Sequence, residues 1–158
     1  MRIFFASEWR TTCQHLQVTN PFDGAVLDTV PIATPADIDV ALKTLEEGAA
    51  LMRRMTPHER ATILRRTSEL IHQHEQALGH TISSEEGKVL SEGLLESSRA
   101  RETFEVSAEE AKRLTGEMIP LEGAPNTRGK LGFTLRVPCG IVAAITPFNF
   151  PLNLVAHK

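Results

Sequence analysis

The most informative part of the chain is Gly140-Ile-Val-Ala-Ala-Ile-Thr-Pro-Phe-Asn-Phe-Pro-Leu152. Residues 140–146 are apolar on both alternating faces, which is typical of a strand buried on both sides in a parallel sheet. Two prolines then restrict the backbone on either side of Asn149, so a turn should follow the strand. Residues 152–158 are expected to begin a helix. Open α/β sheets bind ligands at the carboxyl ends of their strands, so this turn is the predicted site.

Asn149 has two interpretations when only the residues are considered. A fixed asparagine presents its side-chain NH2 as a neutral hydrogen-bond donor, which is useful where negative charge develops on an oxygen. An asparagine between prolines is also an ordinary turn residue with no chemical role. Local physics therefore leaves a catalytic and a purely structural asparagine as alternatives.

The region before this stretch is predicted to be largely helical. Thr34-Pro-Ala-Asp37 and Thr56-Pro-His-Glu59 each place a capping threonine before a proline, with an acidic residue three positions after the threonine. The first helix should end near Met55, and a second apolar stripe with helical spacing continues to Leu78. Two consecutive helices are therefore expected between residues 34 and 78.

Glycines are expected to mark the ends of the later helices. Gly79 predicts a break, and Gly87 predicts the C-terminal cap of a short third helix. A fourth helix is expected over residues 91–114, with Gly116 ending it. The inward positions of that helix are predicted to be Leu94, Phe104, Ala108 and Ala111.

Two hairpins are predicted from turn residues and from alternation. Asp23-Gly24 is a turn signal that can close a hairpin between residues 14–18 and a short strand over 25–30. Met118 to Leu121 is a short extended piece. Residues 130–137 alternate polar and apolar side chains with period two, which predicts a half-buried antiparallel strand. The inward face of that strand is predicted to be Leu131, Phe133, Leu135 and Val137.

Composition limits the classes of function that the chain can have. It has 158 residues, of which 41% are hydrophobic and 23% charged, as in ordinary globular domains. A net charge of −3 and an aromatic content of 5% argue against a nucleic-acid partner. No run of 18 apolar residues is present, so no membrane span is predicted. Two cysteines make no disulfide framework, which favours a cytoplasmic location.

Histidines and cysteines offer no convincing alternative site. His72 and His74 are two residues apart, which places them on opposite sides of a helix, so no metal site is predicted. Cys139 and Cys13 have no evident general base nearby in the sequence, so neither is a candidate nucleophile.

Acidic pairs and glycine-rich loops offer no catalytic or phosphate-binding site either. Glu85-Glu86 and Glu109-Glu110 are neighbours in sequence, which do not face each other on a helix, so both pairs are interpreted as solvated helix faces. The sequence contains no Gly-x-Gly-x-x-Gly and no Walker loop.

The ordered series of short motifs resembles the aldehyde dehydrogenase superfamily over about residues 18–158. The matching pieces are Asn20-Pro-Phe-Asp-Gly24, the helix that begins at Thr34, Glu85-Glu-Gly-Lys88, Gly116-Glu-Met-Ile-Pro120, Val137-Pro-Cys-Gly-Ile-Val142 and Ile145-Thr-Pro-Phe-Asn-Phe-Pro-Leu152. Glu86 stands where the family usually has threonine, and Cys139 stands where it has a small apolar residue. The last motif is the specific one, and the earlier ones add weight by their order.

The resemblance implies a chemistry and a role for the turn. In that family a cysteine thiolate attacks an aldehyde, hydride passes to NAD or NADP, and the thioester is hydrolysed to a carboxylic acid. Asn149 matches the asparagine that donates its side-chain NH2 to the oxyanion. Ile145, Thr146, Pro147 and Phe148 match positions that line the nicotinamide side of the cofactor site. The family's nucleophilic cysteine and glutamate base have no match in this chain.

The resemblance also implies the fold and the domain organisation. The fold class is α/β, and the fold is expected to be incomplete. Residues 1–18 form an N-terminal arm, and 19–116 form short strands followed by the helices of the cofactor-binding domain. Residues 117–138 form a β-hairpin that bridges to a partner subunit, and 139–158 form the first Rossmann-like strand, the turn and a helix start. A homo-oligomer is expected for the full-length form.

Three functional readings follow. The first is the N-terminal fragment of an NAD(P)-dependent aldehyde dehydrogenase, inactive by itself. The second is a non-enzymatic module that pairs with full-length subunits through its hairpin, because an exposed strand edge invites strand addition. The third is an unrelated helical domain in which the Pro-Phe-Asn-Phe-Pro turn occurs by chance.

Overall fold

The computed structural model describes residues 1–5 and 7–158. Helices are concentrated between residues 35 and 110, and three separate two-stranded antiparallel sheets are formed by the described residues. The strands are β1 (Ile3–Phe5), β2 (Glu8–Arg10), β3 (His15–Thr19), β4 (Val26–Pro31), β5 (Met118–Ile119) and β6 (Gly132–Phe133). The helices are α1 (Pro35–Arg54), α2 (Pro57–Gln73), α3 (Glu75–Glu86), α4 (Leu90–Glu110) and α5 (Asn153–His157), with a 3-10 turn at Leu121–Gly123.

The two predicted capping boxes are confirmed. Thr34 Oγ1 accepts the Asp37 N–H at 3.2 Å, and Asp37 accepts the Thr34 N–H at 2.8 Å. The same reciprocal pair joins Thr56 and Glu59 at the start of α2. Helix α1 ends at Arg54, as expected from the sequence. Each box occupies N–H groups that a helix N-terminus leaves without intrahelical partners.

The core lies where α2 and α3 pack against α4. Most of its buried residues are glycine, alanine or serine, so the helices approach closely. The tightest point is Gly93, where an added Cβ would lie 2.5 Å from the carbonyl oxygen of Gly79. The buried residues of these helices are Ala61, Ser68, Ile71, Gly79, Ile82, Gly93, Glu96, Ser97, Ala100 and Ala108.

The glycine predictions had different outcomes. Gly87 caps α3 in the left-handed conformation with φ of 74°, as predicted. The break predicted at Gly79 is wrong, because Gly79 is buried inside α3 and the chain breaks at His74 instead. Gly79 is needed for the close approach of α3 to Leu94 of α4, and a local sequence pattern does not contain that contact.

Helix α4 runs over Leu90–Glu110 and is followed by a turn, so it ends four residues before the predicted Leu114. Ala108 and Ala111 are buried as predicted, whereas Leu94 and Phe104 are only partly buried. Gly116 does not cap the helix. It lies against the backbone of Thr134, where a side chain would collide with the Thr134 carbonyl oxygen.

The first predicted hairpin is confirmed, and an additional one was not anticipated. Strand β3 pairs with β4 in antiparallel register, with a bulge between Val18 and Thr19. Strands β1 and β2 form a separate hairpin in which the Phe4 and Trp9 rings lie 5.1 Å apart. Residues 1–12 have no clear hydrophobic periodicity, so this hairpin cannot be predicted from the sequence pattern.

The strand predicted over 130–137 is mostly unformed. Only Gly132–Phe133 pairs, with Met118–Ile119, and the predicted inward face is exposed. Leu135 and Val137 are 72% and 78% exposed. The period-two pattern identifies apolar side chains that would be buried in a larger sheet. A two-stranded ribbon with only two residue pairs cannot bury them.

The doubly buried strand predicted over 140–146 is also not formed in this chain. These residues join no strand ladder with any described residue, and Ile145 is 93% exposed. A strand satisfies its backbone N–H and C=O groups only through neighbouring strands, and described residues 1–5 and 7–158 bring none alongside. The helix predicted after the turn is confirmed as α5.

Candidate functional site

The candidate site is the turn from Pro147 to Pro151, which precedes α5. Asn149 is exposed, and its side chain makes no hydrogen bond to any of the described residues. Its backbone carbonyl oxygen accepts a hydrogen bond from Lys88 Nζ at 2.6 Å. The backbone of Asn149 is therefore held while its side-chain amide is free to meet a ligand.

Lys88 lies at the centre of a cluster of polar groups at the end of α3. Its ammonium is 2.8 Å from Glu96 Oε2 and 2.7 Å from Glu86 Oε2, and it lies 4.2 Å from the centre of the Phe150 ring. The left-handed Gly87 turns the chain out of α3 immediately before it, and Ser83 Oγ donates to the Lys88 carbonyl at 2.6 Å. Local structure thus aims Lys88 at the turn.

Glu96 holds the other side of the same turn. Its side chain is completely buried in α4, and its Oε1 accepts the backbone N–H groups of Leu152 and Asn153 at 2.9 and 3.2 Å. A further hydrogen bond of 2.9 Å runs from Thr103 Oγ1 to Asn153 Oδ1. Helix α4 therefore fixes the end of the turn and the start of α5.

The charge state of Lys88 follows from its neighbours. Burial alone would lower the pKa of Lys88, but the contacts with the Glu86 and Glu96 carboxylates outweigh burial and raise the pKa above its ordinary value of 10.5. The raised pKa stabilises the fold at every pH below about 10.5, and this contribution is lost as the pH rises through the folded-state pKa. Lys88 is a cation at physiological pH.

The other predicted site residues lie on the same exposed stretch. Ile145 and Phe148 are almost fully exposed, at 93% and 88%, and Pro147 is exposed as well. Thr146 is half-buried. Three of these four residues are therefore exposed and apolar, in the segment directly before Asn149.

Sequence reasoning missed Glu96 and misjudged Glu86. The prediction of a solvated helix face is wrong for Glu86, whose side chain is 15% exposed and paired with Lys88, and correct for Glu85, which is exposed. A usable signal for Glu96 was present. It stands three residues after Gly93 and four before Ala100, and a charged residue on that small-residue stripe requires a buried partner.

No other cluster of chemical groups competes with this turn in the described part of the chain. No group of three or more histidine, cysteine, aspartate or glutamate residues that could bind a metal is found among the described residues. Cys13 and Cys139 are exposed free thiols. None of the described helices combines the length and the apolar character that crossing a bilayer requires.

The comparison with known proteins decides the family. The sequence model described as "Aldehyde dehydrogenase family" matches residues 9–158. The chain belongs to the aldehyde dehydrogenase family. It is 36% identical over 156 residues to the 3-sulfolactaldehyde dehydrogenase of Priestia megaterium, covering 99% of this chain and 32% of that protein. The chain thus spans about a third of the length of the curated relatives it matches.

Solved aldehyde dehydrogenase structures have the same fold over this third. Aldehyde dehydrogenase 21 of Physcomitrella patens, in complex with succinate, matches with a TM-score of 0.93 and 36% identity, over 99% of this chain and 33% of that one. The NADP-dependent glyceraldehyde-3-phosphate dehydrogenase of Bacillus halodurans, complexed with NADP, matches with a TM-score of 0.92 and 26% identity, over 98% and 33%. The described residues therefore have a partial aldehyde dehydrogenase fold, with its mixture of helices and small sheets.

Proposed function

We propose that this chain forms the part of an NAD(P)-dependent aldehyde dehydrogenase that supplies the oxyanion donor for oxidation of an aldehyde to a carboxylic acid. The observation that carries the proposal is Asn149, whose carbonyl is held by Lys88 while its side-chain amide is unengaged and exposed. A donor that is fixed before the reaction needs no reorganisation when charge develops on the substrate oxygen.

The proposed role of Asn149 is to donate a hydrogen bond from its side-chain NH2 to the oxygen that becomes negative when the carbonyl is attacked. The amide is a neutral donor, so it can bind the oxygen without adding a charge to the site. Removal of one such donor costs about 2.7–4 kcal/mol of transition-state stabilisation in comparable sites. We therefore expect the loss of the Asn149 side chain to slow the complete enzyme substantially.

The cofactor proposed is NAD or NADP, whose nicotinamide ring supplies the hydride acceptor when bound. Ile145, Pro147 and Phe148 are exposed and apolar, which suits contact with one face of such a ring. Thr146, between Ile145 and Pro147, is half-buried. The chain has no glycine-rich loop to hold a pyrophosphate. These residues fit one wall of the cofactor site and leave the rest of the dinucleotide to other parts of the protein.

We further propose that the 158-residue chain is inactive by itself. Neither cysteine occupies the family's nucleophile motif, and no glutamate base of the family has a match here. Purified chain mixed with an aldehyde and NAD or NADP is expected to form no NADH or NADPH at 340 nm. Turnover that is lost in Asn149→Ala would contradict this proposal.

The donor role is tested by grafting. This chain replaces the matched 156-residue region of the Priestia megaterium enzyme, and NAD(P)H formation is followed with 3-sulfolactaldehyde. Asn149→Ala is expected to lower kcat about 10²–10³-fold. Asn126→Gly, in an exposed turn with φ of 62° that glycine adopts readily, is the matched control and is expected to leave kcat unchanged. Equal activities of the two variants would refute the donor role.

Assembly and location complete the proposal. We place the full-length protein in the cytoplasm as a homo-oligomer, because its thiols are free and its hairpin at residues 117–138 exposes apolar side chains. The same exposed hairpin favours a second candidate function, a non-enzymatic module that pairs with full-length subunits. Co-purification of this chain with a full-length homologue, lost when Leu135 is replaced by a charged residue, would support that candidate.

A further inference from the structure

Lys88 and Glu96 tie the turn that carries Asn149, and the start of α5, to the helical core through three hydrogen bonds. Lys88 Nζ donates to the Asn149 carbonyl at 2.6 Å. Glu96 Oε1 accepts the N–H groups of Leu152 and Asn153, three and four residues further along. Glu96 Oε2 meets Lys88 Nζ at 2.8 Å, so the two anchors are also joined to each other.

The buried carboxylate of Glu96 is held in one fixed position. Its side chain is fully buried in α4, and both of its oxygens are occupied by charge-assisted hydrogen bonds. Leu152 caps α5 without any side-chain hydrogen bond of its own, so the carboxylate from α4 serves the unpaired N–H groups of that helix start. A buried carboxylate satisfied in this way keeps one position, because any displacement leaves a charge without partners.

Lys88 transmits that fixed position to the reactive part of the turn. Holding the carbonyl of Asn149 restricts rotation of the adjacent peptide plane, and Pro147 and Pro151 restrict the backbone on either side. The Phe150 ring packs on the same ammonium at 4.2 Å. With the backbone restricted, the Cα–Cβ bond of Asn149 has a defined direction.

The geometry points to Lys88 and Glu96 as positioning residues that aim the Asn149 side chain at the oxyanion of the substrate. This inference rests on the proposed donor role of Asn149 and extends it to two residues of the helical core. Neither residue touches the substrate. They act through the backbone of the turn, and a misplacement of about 1 Å in such a donor can cost about 10²-fold in rate.

The first test measures the anchor in the chain itself, without catalysis. Amide hydrogen exchange of Leu152 and Asn153 is followed by NMR in the wild-type chain and in Glu96→Gln. We expect protection of these two amides to fall about tenfold or more, because a charged acceptor becomes neutral. Glu92→Gln, on the exposed side of the same helix, is the matched control. Unchanged protection in Glu96→Gln would overturn the anchoring half of the inference.

The second test separates positioning from mere stability. In the grafted enzyme, Lys88→Met is combined with Asn149→Ala in a double-mutant cycle. Lys88→Met is expected to lower kcat about 10²-fold when Asn149 is present, with little change in KM, and to add less than about threefold when it is absent. Lys88→Arg, which keeps the charge, is expected to recover most of the loss. A residue that only stabilised the fold would lower both backgrounds by the same factor, and that result would overturn the inference.

The possible outcomes separate the positioning role of Lys88 and Glu96 from the donor role of Asn149. If Asn149→Ala leaves kcat unchanged, the donor role is wrong and the positioning role falls with it, whatever the exchange data show. If Asn149→Ala lowers kcat while Lys88→Met and Glu96→Gln do not, the donor role stands and only the positioning role is overturned. Glu96→Gln serves as the second variant for the kinetic cycle where Lys88→Met reduces the yield of folded protein.

Discussion

The helical layer of α2, α3 and α4 and the stretch over residues 130–150 are both rich in apolar side chains, yet only the helical layer is packed. In the helices, small residues such as Ala61 and Ala100 are buried at close crossings. In the later stretch, Val137, Val142 and Ile145 are exposed. A helix satisfies its backbone within itself, whereas an extended segment depends on partners from elsewhere. The two regions therefore differ in whether their structure can be completed within this chain.

Glu96 and Lys88 connect these two regions. Through them the packed helices hold the turn at Asn149, which begins directly after the unpaired stretch. The conformation of the turn is therefore fixed by its contacts with the helices.

Glu96→Ala should have the largest effect on stability. The substitution leaves two N–H groups of the α5 start unpaired and removes a buried partner of Lys88. We expect the free energy of unfolding to fall by about 3–5 kcal/mol, measured by urea denaturation. Glu92→Ala, on the exposed side of α4, is the control and should stay within about 0.5 kcal/mol. Similar losses for both variants would show that the hydrogen bonds of Glu96 do not stabilise the fold more than an exposed glutamate does.

Gly93→Ala should damage the helical layer, because its Cβ would lie 2.5 Å from the carbonyl oxygen of Gly79 across the α3–α4 crossing. Overpacking of this kind costs about 1–3 kcal/mol. Gly48→Ala is the matched control, since a Cβ there meets nothing within 4 Å. It should raise the free energy of unfolding by about 0.5–1 kcal/mol. A stabilising Gly93→Ala would mean that the two helices do not cross this closely.

Thr56→Ala should remove the N-cap of α2 and lower stability by about 1 kcal/mol. The measurement is again denaturation at pH 7. Thr62→Ala, at an exposed position inside the same helix, should be neutral or slightly stabilising because alanine has the higher helix propensity.

The same cap gives a pH dependence of known sign. Hydrogen bonds from the Thr56 N–H and hydroxyl lower the pKa of Glu59 below its ordinary value of 4.5. Its contribution to stability is therefore complete above about pH 4.5 and is lost as the pH falls through the folded-state pKa. Glu59→Gln should flatten this part of the stability profile in acid, whereas an unchanged profile would exclude the cap as its source.

Leu135→Thr should have the smallest effect on stability, within about 0.5 kcal/mol, because Leu135 is exposed in this chain. Its effect should appear in self-association instead. Exposed apolar patches promote association, so sedimentation velocity should show less aggregate for the variant than for the wild type. A large loss of stability would mean that residues 130–137 pack against the helical layer in solution.

Local elements could be predicted from sequence because their determinants lie within a few residues. The capping threonines of α1 and α2, the left-handed Gly87 and the hairpin of β3 and β4 were all recognisable from short patterns, and the structure confirms each of them. The Asn149 turn is recognisable in the same way, from two prolines and a preceding apolar run. Its proposed role as oxyanion donor rests on the resemblance to the family.

The failures concern segments whose structure depends on distant residues. The break assigned to Gly79 was wrong because a helix crossing required glycine there. The strands assigned to 130–137 and 140–146 had the correct pattern but lacked the neighbours that a strand needs. A sequence pattern indicates that a segment needs neighbouring strands, but it does not show whether the chain supplies those strands.

The helix caps, the hairpin, the turn around Asn149 and the family resemblance can all be recognised from short stretches of the sequence. The burial of Glu96, and the contact of Lys88 with Asn149 across 61 positions of sequence, become visible only in the packed fold. Caps and turns arise from hydrogen bonds between near neighbours, which a short motif contains completely. A buried ion pair depends on how two helices cross, and that crossing is set by small residues spread over α3 and α4.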